Sequence, residues 1–199
     1  MTGRLPLFPL HAVLFPGGTL PLRIFEQRYM DMAAASMKEG SPFGICLIAA
    51  GAEVAQPGAA PVQPHPVGTL AHIVSWDMAQ LGVLQAVVQG GERFRVRSTH
   101  SDATGLMRAE VSLLAAESAQ AIPAKYARLL PLLQAVLDDL GARAPPRPFR
   151  LDDAAWVGYR WCEVLSIPPI ARQKLLELDD SLSRLEIIHR FLADKGLFK

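Results

Sequence analysis

The sequence predicts an α+β fold in which a barrel-like antiparallel sheet carrying one helix (1–117) is followed by a small helical bundle (118–199). Three observations predict it. Short apolar runs cut by Gly and Pro recur from Leu5 to Leu114, at the spacing of consecutive strands in a closing meander. One segment of helical periodicity, Glu26 to Gly40, interrupts them. Beyond Glu117 the apolar period lengthens to that of a helix and stays there, which segregates helices from strands along the chain.

The elements follow in order. Leu5 to Leu10 contains Pro6 and Pro9, each lacking a ladder donor, so it reads as an edge or irregular strand. Val13 to Phe15 is better strand material, and Pro16-Gly17-Gly18 turns the chain into a second strand, Thr19 to Phe25. Tyr29, Met32, Ala33, Ser36 and Met37 then share one helical face, with Gly40 as the stop. Pro42 to Ala50 reads as a buried strand. Gly51 to Pro66, rich in Ala, Pro, Gly and Gln, reads as a mobile surface excursion. Strands resume at Gly68 to Trp76, Val83 to Gln89, Arg93 to Thr99 and Leu106 to Leu114.

In the second half, Ile122 to Leu140 carries a leucine-rich stripe that Pro131 should kink or divide. GARAPPRPFR, from Gly141 to Arg150, cannot continue a helix. Asp152 is the expected cap of a helix reaching Leu165, with Trp156, Tyr159 and Cys162 on its inner face and Trp161 pointing elsewhere. A further helix spans Pro169 to Leu178, with proline in the first turn, and a last one starts at Asp179 or Asp180 and stops at Gly196.

Several blocks together resemble one family. LPLFPLHAVLFPG, LPLRIFEQRYMDM, GTLAHI, GERFRV and RQKLLELDDSLSRLEII stand in the order found in the N-terminal, substrate-binding domain of Lon proteases. The resemblance implies a PUA-like β lobe followed by helices, and a role in binding protein segments, with a protease or chaperone as the working partner. At the Gly90-Gly91 pair the sequence departs from the family pattern, and one glycine reads as added flexibility. The resemblance also implies that motor and cutting centre reside in other domains. No GxxxxGK[ST] loop, GxSxG elbow, HExxH helix or GxGxxG fingerprint occurs, so no catalytic residue, cofactor or metal site is expected.

Composition narrows the classes further. A formal net charge of +1 with no block of like charge argues against a nucleic-acid binder. The alternative reading is a sensor module on the PUA-like barrel: for RNA, because Arg93, Arg95, Arg97 and Arg108 could form a patch, the three alternating arginines sharing one face, or for a small molecule, which the family resemblance implies. Cys46 and Cys162 form no CxxC pair, which suits buried thiols in a reducing cytoplasm, and no apolar run reaches the roughly 20 residues of a membrane span. The 5 histidines are scattered without metal-ligand spacing, and the Asp138-Asp139, Asp152-Asp153 and Asp179-Asp180 pairs sit at helix ends, where capping explains them. Arg23, Glu26 and Arg28 are expected to form an ion pair that fixes the strand-to-helix turn. The partner-binding candidates are Phe15, Arg23, Tyr29, Trp76, Arg93 and Phe149, expected around an apolar groove on the β lobe or at its junction with the bundle, where sheet-edge backbone groups would add hydrogen bonds.

Overall fold

A computed structural model of the protein describes residues 4–53, 62–145 and 147–197. The chain divides into two compact units, the first ending at Ala115 and the second beginning at Ala116. The first holds strands β1 (Leu5–Leu10), β2 (Thr19–Ile24), β3 (Phe43–Ala50), β4 (Gln63–Pro64), β5 (Val67–Gln80), β6 (Val83–Ser101) and β7 (Met107–Leu113), with helix α1 (Gln27–Glu39) after β2. The second holds α2 (Leu129–Leu140), α3 (Ala154–Val164), α4 (Pro169–Glu177) and α5 (Ser181–Asp194).

The sheet closes on itself. Its order β1-β7-β6-β5-β3 returns to β1 through a parallel β1–β3 ladder, while β2 pairs with β6 outside this ring and β4 with β3. A closed ring removes free edges, and it makes β1 an internal strand rather than the edge its prolines suggest. The structure shows how the prolines are tolerated. Pairing with β7 covers only Leu5 and Pro6, and stops where the proline offers no donor, while Leu7 to Leu10 run along β3.

Two further expectations are corrected. Val13 to Phe15 is irregular rather than a strand, although all three residues are buried. Its backbone is held instead by Thr69 Oγ1, which donates to the Leu14 carbonyl at 2.7 Å. Pro16-Gly17 does turn the chain: Gly17 has φ +72° and the Gly18 N–H donates to the Phe15 carbonyl at 3.0 Å, a type II turn. The second correction concerns Val83 to Thr99, which forms the single long strand β6 through Gly90 and Gly91. Gly90 is a point of close approach, not of slack. Its carbonyl accepts from Gly17 N at 2.7 Å, its N–H donates to the Gly18 carbonyl at 2.8 Å, and a Cβ there would lie 2.1 Å from the Phe15 carbonyl oxygen.

Helix α1 buries the face read from its spacing: Tyr29, Met32, Ala33 and Ser36, packed with Phe8, Ile24, Phe43 and Leu84. Gly40 ends it at φ +63°. A second apolar cluster joins Leu7, Cys46, Leu70, Phe94 and Ala109. Residues 54–61 of the expected excursion lie outside the described residues, but Gln63 and Pro64 form β4, so that stretch returns to the sheet earlier than predicted.

In the helical unit Pro131 falls in the first turn of α2, after a 3-10 turn at Ala124–Tyr126, where the missing donor has no helical acceptor to lose. Asp153, not Asp152, caps α3 by accepting from Ala155 N at 3.0 Å, and Asp180 caps α5 through Ser183 N at 2.7 Å. Trp161 is buried and Trp156 only half-buried, the reverse of the expected faces, because α3 is surrounded on nearly every side.

An ionic hub centres on Arg184, whose side chain is inaccessible to solvent. It makes a bidentate pair with Glu117 (2.8 and 2.7 Å), donates to the Leu175 and Leu178 carbonyls (3.0 and 2.7 Å) and lies 4.1 Å from the Tyr159 ring centre. The Tyr159 hydroxyl donates to the same carboxylate. Glu186 is held differently, near the surface, by Tyr126 Oη (2.5 Å), Arg190 Nε (2.7 Å) and Lys125 Nζ (3.1 Å). These donors, the tyrosine first, lower its carboxyl to about 2. A depressed folded value contributes stability above the ordinary carboxylate pKa of about 4.3 and loses it as pH falls through the folded one. Urea titrations between about pH 5 and pH 2 should therefore show a flatter stability profile for Glu186→Gln than for the parent protein.

Candidate partner-binding site

The long hairpin of β5 and β6 outgrows the barrel. β5 pairs with β3 only from Thr69 to Ala71, whereas it follows β6 almost to its end at Gln80. From His72 onward, one edge of β5 therefore has no strand partner among the described residues, and neither does the far edge of β2. A bulge between Ile73 and Ser75 shifts the register there, as bulges commonly do where a strand re-aims its side chains.

Register sets the neighbours on this platform. Pro21, Val87 and Ser75 form one row across β2, β6 and β5, and Arg23, Gln85 and Asp77 form the next. These six line a concavity of about 690 Å³, with Trp76 also on its wall. Large apolar groups stand exposed along the same elements: Phe25 after β2, then Val74, Trp76, Met78 and Leu81, with Trp76 59 % and Leu81 96 % exposed. The tip turns at Gly82, φ +78°. Native surfaces seldom collect so many large apolar side chains on one hairpin without using them for contact.

The six candidate residues separate cleanly. Arg23 and Trp76 both border this concavity, Arg23 in the row of Gln85 and Asp77 and Trp76 in the next, with Ala86 and Leu22. Phe15, 1 % exposed, and Tyr29, which stacks on Phe8 with ring centres 4.1 Å apart, belong to the core and have no surface to offer. Burial raises the Tyr29 phenol. Arg93 is 4 % exposed, in register with Thr69, which breaks the proposed basic face: Arg95 is half-buried, and of the three alternating arginines only Arg97 is exposed. Phe149 lies in the helical unit, half-buried between Arg147, 4.4 Å from its ring centre, and Trp156, 5.8 Å away.

Of the charged trio around the first strand-to-helix junction, Glu26 and Arg28 pair at 2.9 Å, and Arg28 also donates to the Gly105 carbonyl at 3.0 Å. Arg23 takes no part in that pair, which leaves its guanidinium for the concavity. The sequence could not show that β5 continues past Trp76. Met78 and Leu81 were missed for that reason, although an apolar Met-Ala-Gln-Leu stretch before Gly82 was a visible signal.

No group of His, Cys, Asp or Glu among the described residues is arranged to hold a metal ion, and no described helix is long and apolar enough to cross a membrane. Both cysteines are buried, which pushes each thiol up to about 12.

A closed β-rich unit followed by a helical unit defines the class of domain, and comparison says which family it belongs to. The sequence profile of the ATP-dependent protease La (LON) substrate-binding domain matches residues 4–194, so the chain belongs to that family. The crystal structure of a Lon N-terminal domain protein from Xanthomonas campestris is 36 % identical with a TM-score of 0.76, covering 94 % of this chain and 98 % of that one. The N-terminal domain of Lon protease from the Mycobacterium avium complex, at 17 % identity and TM-score 0.64, covers 96 % of this chain and 99 % of that one and shares the fold. Lon protease 2 of Myxococcus xanthus is 36 % identical over 93 residues, 46 % of this chain but 11 % of that protein. The match thus spans about a tenth of that relative's length.

Proposed function

We propose that this chain is a non-enzymatic protein-binding module that holds unfolded or exposed segments of other proteins, in the cytoplasm, and works as an adaptor for proteolysis. The observation that carries the proposal is the row of exposed apolar groups, Val74, Trp76, Met78 and Leu81, beside an unpaired strand edge. An extended segment laid along β5 from His72 would gain backbone hydrogen bonds from that edge, while its apolar side chains cover Trp76 and its neighbours. Asp77, on β5 itself and in one row with Gln85 and Arg23, would fix the register of polar groups on the segment. Membership of the substrate-binding family supports the same reading, as does a surface whose apolar groups crowd on one hairpin.

The binding should need no nucleotide. Titrating the protein with reduced, carboxymethylated α-lactalbumin should give saturable binding at micromolar strength. Trp76→Ala should weaken it by at least about tenfold, the range of a truncated aromatic anchor, with melting temperature nearly unchanged because the indole is exposed. Equal affinity of variant and parent would remove Trp76 from the site.

A further inference from the structure

The β-rich unit contains a second cavity, of about 530 Å³, which shares no lining residue with the Trp76 concavity. Leu5, Met32, Phe43 and Leu106 supply apolar lining. Charges stand around them by element. Helix α1 contributes Asp31 and Glu39, which flank exposed Ala35 on one stripe at i, i+4 and i+8. The strands contribute Arg4, before β1, and Arg108, on β7. Arg28 ties α1 to the β6–β7 turn through the Gly105 carbonyl.

Existing bonds decide what a ligand would meet. Asp102 is committed: Thr104 Oγ1 donates to it at 2.6 Å and Arg108 Nε at 2.8 Å, which hold its carboxyl far below the usual carboxylate range. Arg108 spends only Nε on that pair, so its terminal nitrogens have no partner among the described residues. Arg4 touches His100 Nε2 (3.1 Å) and Glu110 (3.7 Å). Among the described residues, Asp31 accepts only the neutral Gln27 amide, at 2.7 Å, and Glu39 only a long 3.5 Å contact from Ser41 Oγ.

The cavity therefore presents a carboxylate-binding side from the strands, an ammonium-binding side from the helix, and apolar lining between them. A purely apolar ligand would strip water from both sides without compensation, and a simple anion or cation would satisfy only one. We infer that this cavity binds a small zwitterion with an apolar side chain, of the size of a free amino acid or dipeptide. Its carboxylate meets Arg108 and Arg4, its ammonium meets Asp31 and Glu39, and its side chain lies over exposed Ala35 beside Leu5 and Met32. The volume lies within the usual range of ligand pockets, about 300 to 1,000 Å³.

Calorimetric titration with L-leucyl-L-leucine tests this directly, with its N-acetylated, C-amidated and doubly blocked forms as companions. The free dipeptide should bind below about 1 mM, and each single block should cost about tenfold. Arg108→Gln should abolish the preference for the free carboxylate, and Asp31→Asn combined with Glu39→Gln the preference for the free amine. Ala35→Leu, at an exposed helix position that does not endanger folding, should fill the trough and abolish binding while leaving the melting temperature unchanged. The inference is overturned if the dipeptide does not bind by about 10 mM, if blocked and free forms bind alike, or if Ala35→Leu binds as the parent does.

Discussion

Replacing Glu117 by alanine will destabilise the helical unit by about 3 to 5 kcal/mol, the range found when one partner of a buried ion pair is removed. Arg184 is fully enclosed and its guanidinium lies on the Tyr159 ring, so it cannot swing out to water when the carboxylate is lost. The Tyr159 hydroxyl loses the same acceptor. The damage comes from the charge left behind rather than from a large intrinsic worth of the pair. Accordingly, Glu117→Met combined with Arg184→Met should recover part of the loss, because it removes the stranded charge, though not all of it, since the Leu175 and Leu178 carbonyls and the Tyr159 hydroxyl lose these bonds. Of the 3 tryptophans, Trp156 and Trp161 lie on α3 and Trp76 on β5. Denaturant titrations in a Trp76→Phe background would therefore report the helical unit by fluorescence. A single variant as stable as the parent, or a double variant worse than the single one, would show that the hub does not hold the helices as described.

Gly90→Ala is the second large effect, expected at about 3 kcal/mol or more. A methyl group there meets the Phe15 carbonyl oxygen at 2.1 Å, and that oxygen belongs to backbone fixed by the Pro16-Gly17 turn and by two hydrogen bonds to Gly90 itself. Neither side has a flexible end to yield. The neighbouring Gly91→Ala is the control: its Cβ would meet the His72 ring at 3.2 Å, a contact with a side chain, and should cost clearly less. Thermal unfolding of the two variants side by side gives the comparison, and equal losses would mean that the close approach at Gly90 is not what fixes this glycine.

The contrast between these glycines shows where sequence reading ends. Local signals were legible: the Pro16-Gly17 turn, the buried face of α1, the Gly40 stop and the proline at the start of α4 all follow from spacing and backbone chemistry within a few residues. Features set by distant residues were not. Pro6 and Pro9 mark an edge by local rules, but closure of the barrel through β3 and β7 places that strand inside. Glu117 and Arg184 are 67 positions apart, and nothing local distinguishes them from surface charges. Phe15 and Tyr29, expected among the partner-binding residues, are taken up by the core instead. Trp76 and Arg23 were legible as candidates, but that both border one concavity depends on the β2–β6–β5 register, which only the folded sheet supplies.

A captured segment is expected to lie along the edge of β5 that has no strand partner among the described residues. Hydrogen exchange read by mass spectrometry, with and without saturating carboxymethylated α-lactalbumin, tests that placement. Amides between Val74 and Leu81 should exchange more slowly when the polypeptide is bound, while those of α4 and α5 should be unchanged. Protection confined to the helical unit, or none on the hairpin at saturation, would contradict it.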